Sequence, residues 1–134
     1  MDIEYALIAD HAEITGGKLY LMGGGWDLYR VAEFPAQVRL AVALGVRIGW
    51  EETNAARAVT VSIDHEDGER VANVDGHVTV GRPPHLAAGA SQLAQVAVNF
   101  QLEVKLPGGY VVRVRAGEAD AAVSQALPFR VVKA

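Results

Sequence analysis

The sequence predicts an all-β protein: a two-sheet antiparallel β-sandwich of about eight strands, with immunoglobulin-like or related Greek-key topology. Apolar residues alternate with polar or small residues in three long runs. Successive side chains of a strand point to opposite faces, so each run indicates a strand with one buried face and one exposed face. Turn-forming residues recur roughly every 8–12 residues, which is typical of sandwiches. The three runs are residues 37–48, 96–105 and 110–115.

The first third of the chain is expected to supply two or three strands. Residues 3–9 predict a strand, and its continuously apolar stretch suggests cover on both faces. A glycine turn leads into a second strand at residues 18–22. The triple glycine at 23–25 predicts a bulge, a bend or a close backbone approach. Residues 26–31 are expected to resume the strand beyond it, and Pro35 closes the segment.

The middle of the chain reads as strands joined by tight turns. The run at 37–48 is long, and Gly45 is its predicted bend point. Asp67-Gly68 is a strong hairpin signal, and Asp75-Gly76 predicts a second turn. The other strands expected here are residues 58–64, 70–74 and 77–80.

The last third contains the longest irregular segment, residues 81–90, which we interpret as a crossover from one sheet to the other. Residues 92–106 and 110–116 are predicted to form a hairpin joined at 107–109. Residues 127–132 are the last expected strand. Pro128 cannot donate to a ladder, so it predicts an edge or strand-start position there.

Length and composition indicate a single domain over residues 1–134. A domain of this length can bury enough surface to fold without disulfide bonds or a structural metal. The absence of cysteine excludes a disulfide framework and a thiolate metal site. The acidic N-terminal residues do not resemble a secretory signal, and no apolar run reaches the roughly 18–20 residues that span a bilayer. We therefore expect a cytoplasmic protein with no membrane partner. The excess of arginine over lysine and the many alanines suggest a GC-rich bacterial genome.

A net charge of −4 and a pI near 5.5 argue against a nucleic-acid partner, because phosphate contacts need a basic patch. A local stripe of basic residues on one sheet face is conceivable, but mixed charge pairing with Glu103 is the preferred interpretation. The arginines in question are Arg39, Arg47, Arg113 and Arg115.

Residues 106–114 resemble the tyrosine corner of immunoglobulin-like sandwiches, in which a tyrosine at the start of a late strand bonds to backbone just upstream. Tyr110 takes that position here. Val112 stands where an immunoglobulin domain has its second cysteine. The resemblance therefore implies a related topology and not an immunoglobulin domain.

A second resemblance runs nearly the whole chain. The following parts of the sequence resemble, in order, an uncharacterised family of small bacterial proteins: segments 9–12 and 17–21, then Gly23-Gly24, Trp26 and Pro35, then segments 67–68, 81–84 and 127–131. That family is a domain of unknown function. The resemblance implies a fold and a bacterial origin and assigns no activity to any residue.

Catalytic and metal-binding motifs find little support in the sequence. The four histidines lack metal-ligand spacing, and His65, in a charged hairpin, is expected to be solvated surface. The acids at 64–67, together with Asp75, could be ligands of a calcium site, but the tip of a hairpin is the preferred interpretation of this segment. Gly23–Gly25 lacks the lysine of a phosphate-binding loop, and the serines lie in no nucleophile elbow. We therefore predict no catalytic residue, no metal and no cofactor.

The residues left as binding candidates lie in predicted loops and bends, where binding residues concentrate. Tryptophan and arginine are also enriched at interface hot spots. The preferred interpretation of both tryptophans is that they plug the two ends of the sandwich core. The four candidates are Trp26, Trp50, Arg82 and His85.

The function best suited to these observations is a non-catalytic bacterial binding or assembly module that associates with itself or with another protein, because an open sandwich leaves unpaired strand edges. One alternative is a small-ligand carrier or enzyme with a pocket under the 81–90 crossover, lined by Trp26 or Trp50. A second alternative is a calcium-dependent membrane module that uses the acids at 64–67.

Overall fold

The computed structural model describes all residues, 1–134, and contains nine strands and two short 3-10 turns. The nine strands form two sheets, so the predicted β-sandwich is confirmed. The four-stranded sheet has the order β2-β1-β4-β7, and the five-stranded sheet has the order β3-β9-β8-β5-β6. The strands are β1 (Asp2–Thr15), β2 (Lys18–Gly24), β3 (Leu28–Val31), β4 (Ala36–Ile48), β5 (Arg57–His65), β6 (Arg70–Val78), β7 (Gln92–Val104), β8 (Gly108–Ala116) and β9 (Val123–Lys133).

The core lies between the two sheets and is made by the inward half of each alternating run. In β4 every second residue from Val38 to Ile48 is at most 1% exposed. All thirteen residues of β4 pair with β7, which gives this strand an unbroken ladder. The facing layer comes from β5, β8 and β9, and its largest buried side chain is Phe129. Removal of these apolar side chains from water is the main driving force of folding.

Two predicted turns are wrong in instructive ways. β7 and β8 do not form a hairpin: β7 pairs with β4, whereas β8 pairs with β5 and β9 in the other sheet. The segment between them is an arch from one sheet to the other. Asp75-Gly76 is no turn either, because β6 runs through it and pairs continuously with β5. The crossover over residues 79–91 does connect the two sheets, as predicted.

The end of the β1–β2 hairpin folds over the outer face of the four-stranded sheet. Asn99, on the outer face of β7, accepts from Ala12 N–H at 3.3 Å and donates to Ala12 C=O at 2.8 Å. Beneath the hairpin, Ala41 and Ala43 are fully buried and pack against Leu21 and other apolar side chains. Small residues on the outer face of β4 leave room for this third layer. The expected double cover of residues 3–9 is therefore only partial, since Leu7 stays 38% exposed.

Gly45 serves a close approach and not a break, because β4 continues through it. A Cβ placed on Gly45 would lie 2.1 Å from Cε1 of Tyr5, whose ring occupies this position. The Tyr5 hydroxyl then donates to Gln95 Oε1 at 2.7 Å. The pairing of β1 with β4 shifts register between Ile3 and Tyr5, directly beside the glycine.

The two remaining sequence predictions about β8 and β9 hold locally. Tyr110 donates its hydroxyl hydrogen to Leu106 C=O at 2.5 Å, the bond of a tyrosine corner. Pro128 precedes the four residues of β9 that pair with β3, so the edge of β9 opposite β8 is open at Pro128. Its missing N–H therefore leaves no ladder bond unmade. No helix of the structure has the length and apolar character needed to cross a membrane.

Candidate binding surfaces

Two of the four predicted binding residues meet at one end of the sandwich. The Arg82 guanidinium carbon lies 3.9 Å from the centre of the Trp50 ring, a cation–π contact. Arg82 also donates to Thr53 Oγ1 at 2.9 Å and to Trp50 C=O at 2.7 Å. These bonds tie the crossover to the turn after β4. Most contacts of the Arg82 guanidinium are thus made with other residues of the chain, so its role in this arrangement is structural.

The other two candidates lie elsewhere. Trp26 belongs to the opposite end of the core, where its ring meets Phe129 edge-on at 6.1 Å and Tyr29 at 5.6 Å. Its Nε1–H is buried without an acceptor. His85 is exposed in the crossover and makes no hydrogen bond or ring contact. The larger depressions of the surface all lie away from residues 81–90. A binding role for these four residues stays a prediction.

The four arginines of the conceivable basic stripe are split between the two sheets. Arg47 donates to Glu4 Oε1 at 3.0 Å on the four-stranded sheet, and Arg39 lies on the same outer face. Arg113 and Arg115 lie on the outer face of the five-stranded sheet. Glu103 faces Gln37 and pairs with none of them. No single stripe forms.

The acids at residues 64–67 are held apart by different partners. Asp64 accepts from Arg70 Nε at 2.9 Å, and this charge pairing lowers its pKa. Asp67 accepts from Glu69 N–H at 2.8 Å, which lowers its pKa. Asp75 lies further along β6 and accepts from the Thr60 hydroxyl. No group of three or more histidine or acidic side chains converges as a metal site would require.

His65 is buried, contrary to the expectation of a solvated side chain, with only 9% of the residue exposed. Its Nε2 lies 3.1 Å from Pro107 C=O, and its ring packs on Tyr110 at 4.7 Å. Its Nδ1 accepts the Asp67 N–H at 3.2 Å when the ring is neutral. When the ring is protonated, Nδ1–H instead donates to Asp67 Oδ1 at 3.0 Å.

Protonation of His65 is favoured in the folded protein. Burial alone would lower the pKa of His65, but hydrogen bonds to Pro107 C=O and to the Asp67 carboxylate outweigh burial and raise it. A group with a raised folded pKa adds stability below its unfolded pKa, here about 6.5, and loses it as pH rises through the folded pKa. The lowered pKa of Asp67 acts in the opposite sense, so its contribution is lost as pH falls below about 3.8.

We therefore expect the free energy of unfolding to fall as pH rises past about 6.5 and through the higher pKa of folded His65, because the His65–Asp67 bond is lost. In His65→Gln this decline should be clearly smaller, since glutamine keeps a donor and does not titrate. Urea unfolding of both proteins at several pH values measures the difference. Parallel pH profiles for the two proteins would contradict the assignment.

The free strand edges differ in how well they are protected against pairing with another chain. β3 has four residues, and β6 carries charged Arg70 and Asp75. β2 ends in two glycines, and the open part of β9 contains Pro128. Short length, charge and proline are the usual devices that blunt an edge. β7 is long, contains no proline and has a single charged residue, close to one end.

β7 is the one long unprotected edge of the molecule. It has thirteen residues, and Glu103, next to its end, is the only charged one. It pairs with β4 on one side, and none of the backbone hydrogen bonds outside the ladders involves it. Sequence reasoning missed this edge because it assigned the second side of β7 to β8. The absence of charge from Gln92 to Leu102 is the signal that was available.

An apolar seam opens beside this edge, where β6 and β7 close the same side of the sandwich. Val96 and Val98 of β7 point inward yet are only partly buried. Val74, their counterpart on β6, is 39% exposed. These side chains line a small depression with Gly76 and His77. The unpaired backbone edge and the incompletely covered apolar side chains therefore lie together.

Comparison with known proteins places the chain in a family without assigning it an activity. A family model described as a family of unknown function, DUF6941, matches residues 4–132. A search of curated proteins found no match. The match spans nearly all of the sandwich, from β1 to the end of β9. The chain therefore belongs to this family of unknown function.

Proposed function

We propose that the protein is a non-catalytic assembly module in which β7 of one copy pairs antiparallel with β7 of a second copy. The observation that carries this proposal is the unprotected edge of β7, with thirteen residues and no backbone partner on its outer side. An edge strand of this kind is a template for another strand. Pairing about a two-fold axis joins two four-stranded sheets into one continuous sheet.

The charge distribution along β7 suits self-pairing. In a two-fold antiparallel arrangement, two like charges oppose each other only when a charged residue faces its own copy. Glu103 is the only charged residue of β7, so this requires the axis to pass through Glu103. That register pairs only the last few residues of each strand. Every longer register is free of directly opposed like charges, which would otherwise destabilise the pair.

Burial of the apolar seam would further stabilise the dimer. A strand added to β7 continues the inner face of the sheet past Val96 and Val98 and covers them together with Val74. Each Å² of apolar surface removed from water contributes about 25 cal/mol. Backbone hydrogen bonds then fix the orientation, and the valines supply much of the free energy.

The test is the native mass of wild type and of Leu93→Glu/Gln101→Glu, measured by native mass spectrometry and by light scattering across concentration. Both positions are exposed on β7, and they face Arg47 and Arg39 of β4. The new carboxylates thus gain partners within the fold while adding like charge to the edge. We expect a dimer for wild type and a monomer of similar thermal stability for the variant.

The matched control is Ser124→Glu/Ala126→Glu, which adds the same charge to two exposed positions of β9 in the other sheet, opposite Arg115 and Arg113 of β8. It should remain a dimer. A wild-type monomer at high concentration would overturn the proposal. Loss of the dimer in the control together with its retention in the β7 variant would assign association to another edge.

We also infer an immunoglobulin-like topology. With β2 and β3 set aside, β1-β4-β7 and β9-β8-β5-β6 follow the A-B-E and G-F-C-C′ orders of such sandwiches. The tyrosine corner at the start of β8 supports this correspondence, because it belongs to strand F. A bacterial source, suggested by composition, and a cytoplasmic location stay predictions from the sequence.

A further inference from the structure

The outer face of the five-stranded sheet is open, whereas that of the four-stranded sheet is roofed by the β1–β2 hairpin. A depression of about 490 Å³ lies on this open face. Its polar lining comes from Arg70 of β6 and from three neighbouring strands, β5, β8 and β9. Ser62 of β5 pairs with Arg113 of β8, and Thr60 pairs with Arg115, which in turn pairs with Ser124 of β9.

We propose that this depression binds the phosphate group of a small phosphate monoester. Guanidinium groups match phosphate oxygens in geometry and charge and form short, charge-assisted hydrogen bonds with them. The Ser62 and Ser124 hydroxyls complete such a shell because each can donate to a phosphate oxygen, whereas the Thr60 hydroxyl already donates to Asp75. Arg113 and Arg115 are neighbours on the same face of β8, so both reach over the same space.

Both arginines keep hydrogen-bond donors that a ligand can use. Arg113 forms an ion pair with Asp64, whose Oδ2 lies 3.7 Å from Nε, but it donates no hydrogen bond within the chain. Asp64 is already paired with Arg70 at 2.9 Å. Arg115 donates to Ala119 C=O at 2.7 Å with one nitrogen, which orients the guanidinium and leaves its other donors free.

Ser62 is the most informative member of the lining. The residue is only 5% exposed, yet its hydroxyl makes no hydrogen bond within the chain. The hydroxyl is not sealed from solvent, since the only side-chain nitrogen or oxygen that is both sealed and unpaired is Trp26 Nε1. A buried serine without a partner contributes nothing to stability through its hydroxyl. An oxyanion above Arg113 would supply the missing acceptor.

The rim of the depression limits where the phosphate can sit. Asp75 occupies the β6 side, where it takes the Thr60 hydroxyl hydrogen and an Asn73 N–H. Its negative charge disfavours an anion there, so the phosphate belongs over β8, between Ser62 of β5 and Ser124 of β9. The volume exceeds that of a phosphate ion and falls in the usual range for small organic ligands. The remainder of the space is left for the organic part of the ester.

The proposal is tested by calorimetric titration with inorganic phosphate, with ribose 5-phosphate and with citrate, at ionic strength held constant with chloride. We expect ribose 5-phosphate to bind more tightly than phosphate, and citrate to bind weakly. Arg113→Gln/Arg115→Gln should weaken phosphate-ester binding at least about tenfold. Arg39→Gln, an exposed arginine of the other sheet, is the matched control and should bind as wild type does.

Ser62→Ala separates a binding role from a structural one. It should weaken binding while leaving the free energy of unfolding unchanged or slightly raised, because no bond within the chain is lost. Tighter binding of inorganic phosphate than of the ester would still support the phosphate site and would identify the free ion as its occupant. Binding no stronger than that of chloride, equal binding of citrate, or equal loss in Arg39→Gln would overturn the proposal.

Discussion

Replacing Phe129 by alanine is expected to lower the free energy of unfolding by roughly 3–5 kcal/mol. Phe129 is 2% exposed and is the largest fully buried side chain of the core. Its ring stacks on Tyr110 at 5.5 Å and receives the edge of Trp26 at 6.1 Å. The substitution therefore leaves a cavity and removes two aromatic contacts, each worth about 0.5–1.5 kcal/mol. Against a typical total of about 5–15 kcal/mol, this loss is large.

Urea unfolding followed by tryptophan fluorescence measures the effect and also reports the freed Trp26 ring. Phe129→Leu keeps much of the volume and should cost clearly less. Leu127→Ala, at the next inward position of β9, is the control for a less buried site. A cost for Phe129→Ala no greater than that of Leu127→Ala would show that the aromatic cluster is not a stability centre.

Gly45→Val is expected to cost roughly 2–4 kcal/mol, although valine is ordinarily favourable in a strand. The new side chain would occupy the place of the Tyr5 ring, whose Cε1 lies 2.1 Å from an ideal Cβ. Displacing the ring also breaks its bond to Gln95, which itself holds Gly17 C=O at 2.8 Å. The β1–β2 hairpin would thus lose one of its attachments to the outer face of the sheet.

The control is Gly76→Val, because a Cβ at Gly76 of β6 meets no atom within 4 Å. That variant should be neutral or stabilising, since glycine is unfavourable within a strand. Tyr5→Ala/Gly45→Val should recover part of the loss, because the clash disappears with the ring. Equal costs for the two glycine substitutions, measured by thermal or urea unfolding, would contradict the close-approach explanation.

Alternation predicted the faces of the strands well because burial repeats with the same period as the side chains. The buried residues of β4 are the apolar residues of the alternating run, and β4 covers the predicted strand at residues 37–48. Which strands pair is a different matter, because alternation specifies a face and not a neighbour. Pro107-Gly-Gly signals a change of direction equally well for a hairpin and for an arch between sheets, and here it is the arch.

The candidate surfaces were harder to predict, because each depends on distant pairing. Arg82 and Trp50 were both singled out, but their mutual contact requires the crossover to lie over the turn after β4. The burial of His65 follows from its packing on Tyr110, forty-five positions away. Arg113 and Arg115 of β8 were noted in the sequence, yet the pairing of Arg113 with Ser62 depends on the β5–β8 register.

The parallel pairing of β3 with β9 has a consequence for the rate of folding. β3 is the third of the nine strands and its ladder partner is the ninth, so that Leu28 lies opposite Arg130. β9 also provides one side of the ladder of β8. The five-stranded sheet is therefore complete only when two segments about 100 residues apart in sequence have met. Contacts of such long sequence separation form slowly, so we expect the β3–β9 ladder to form late in folding.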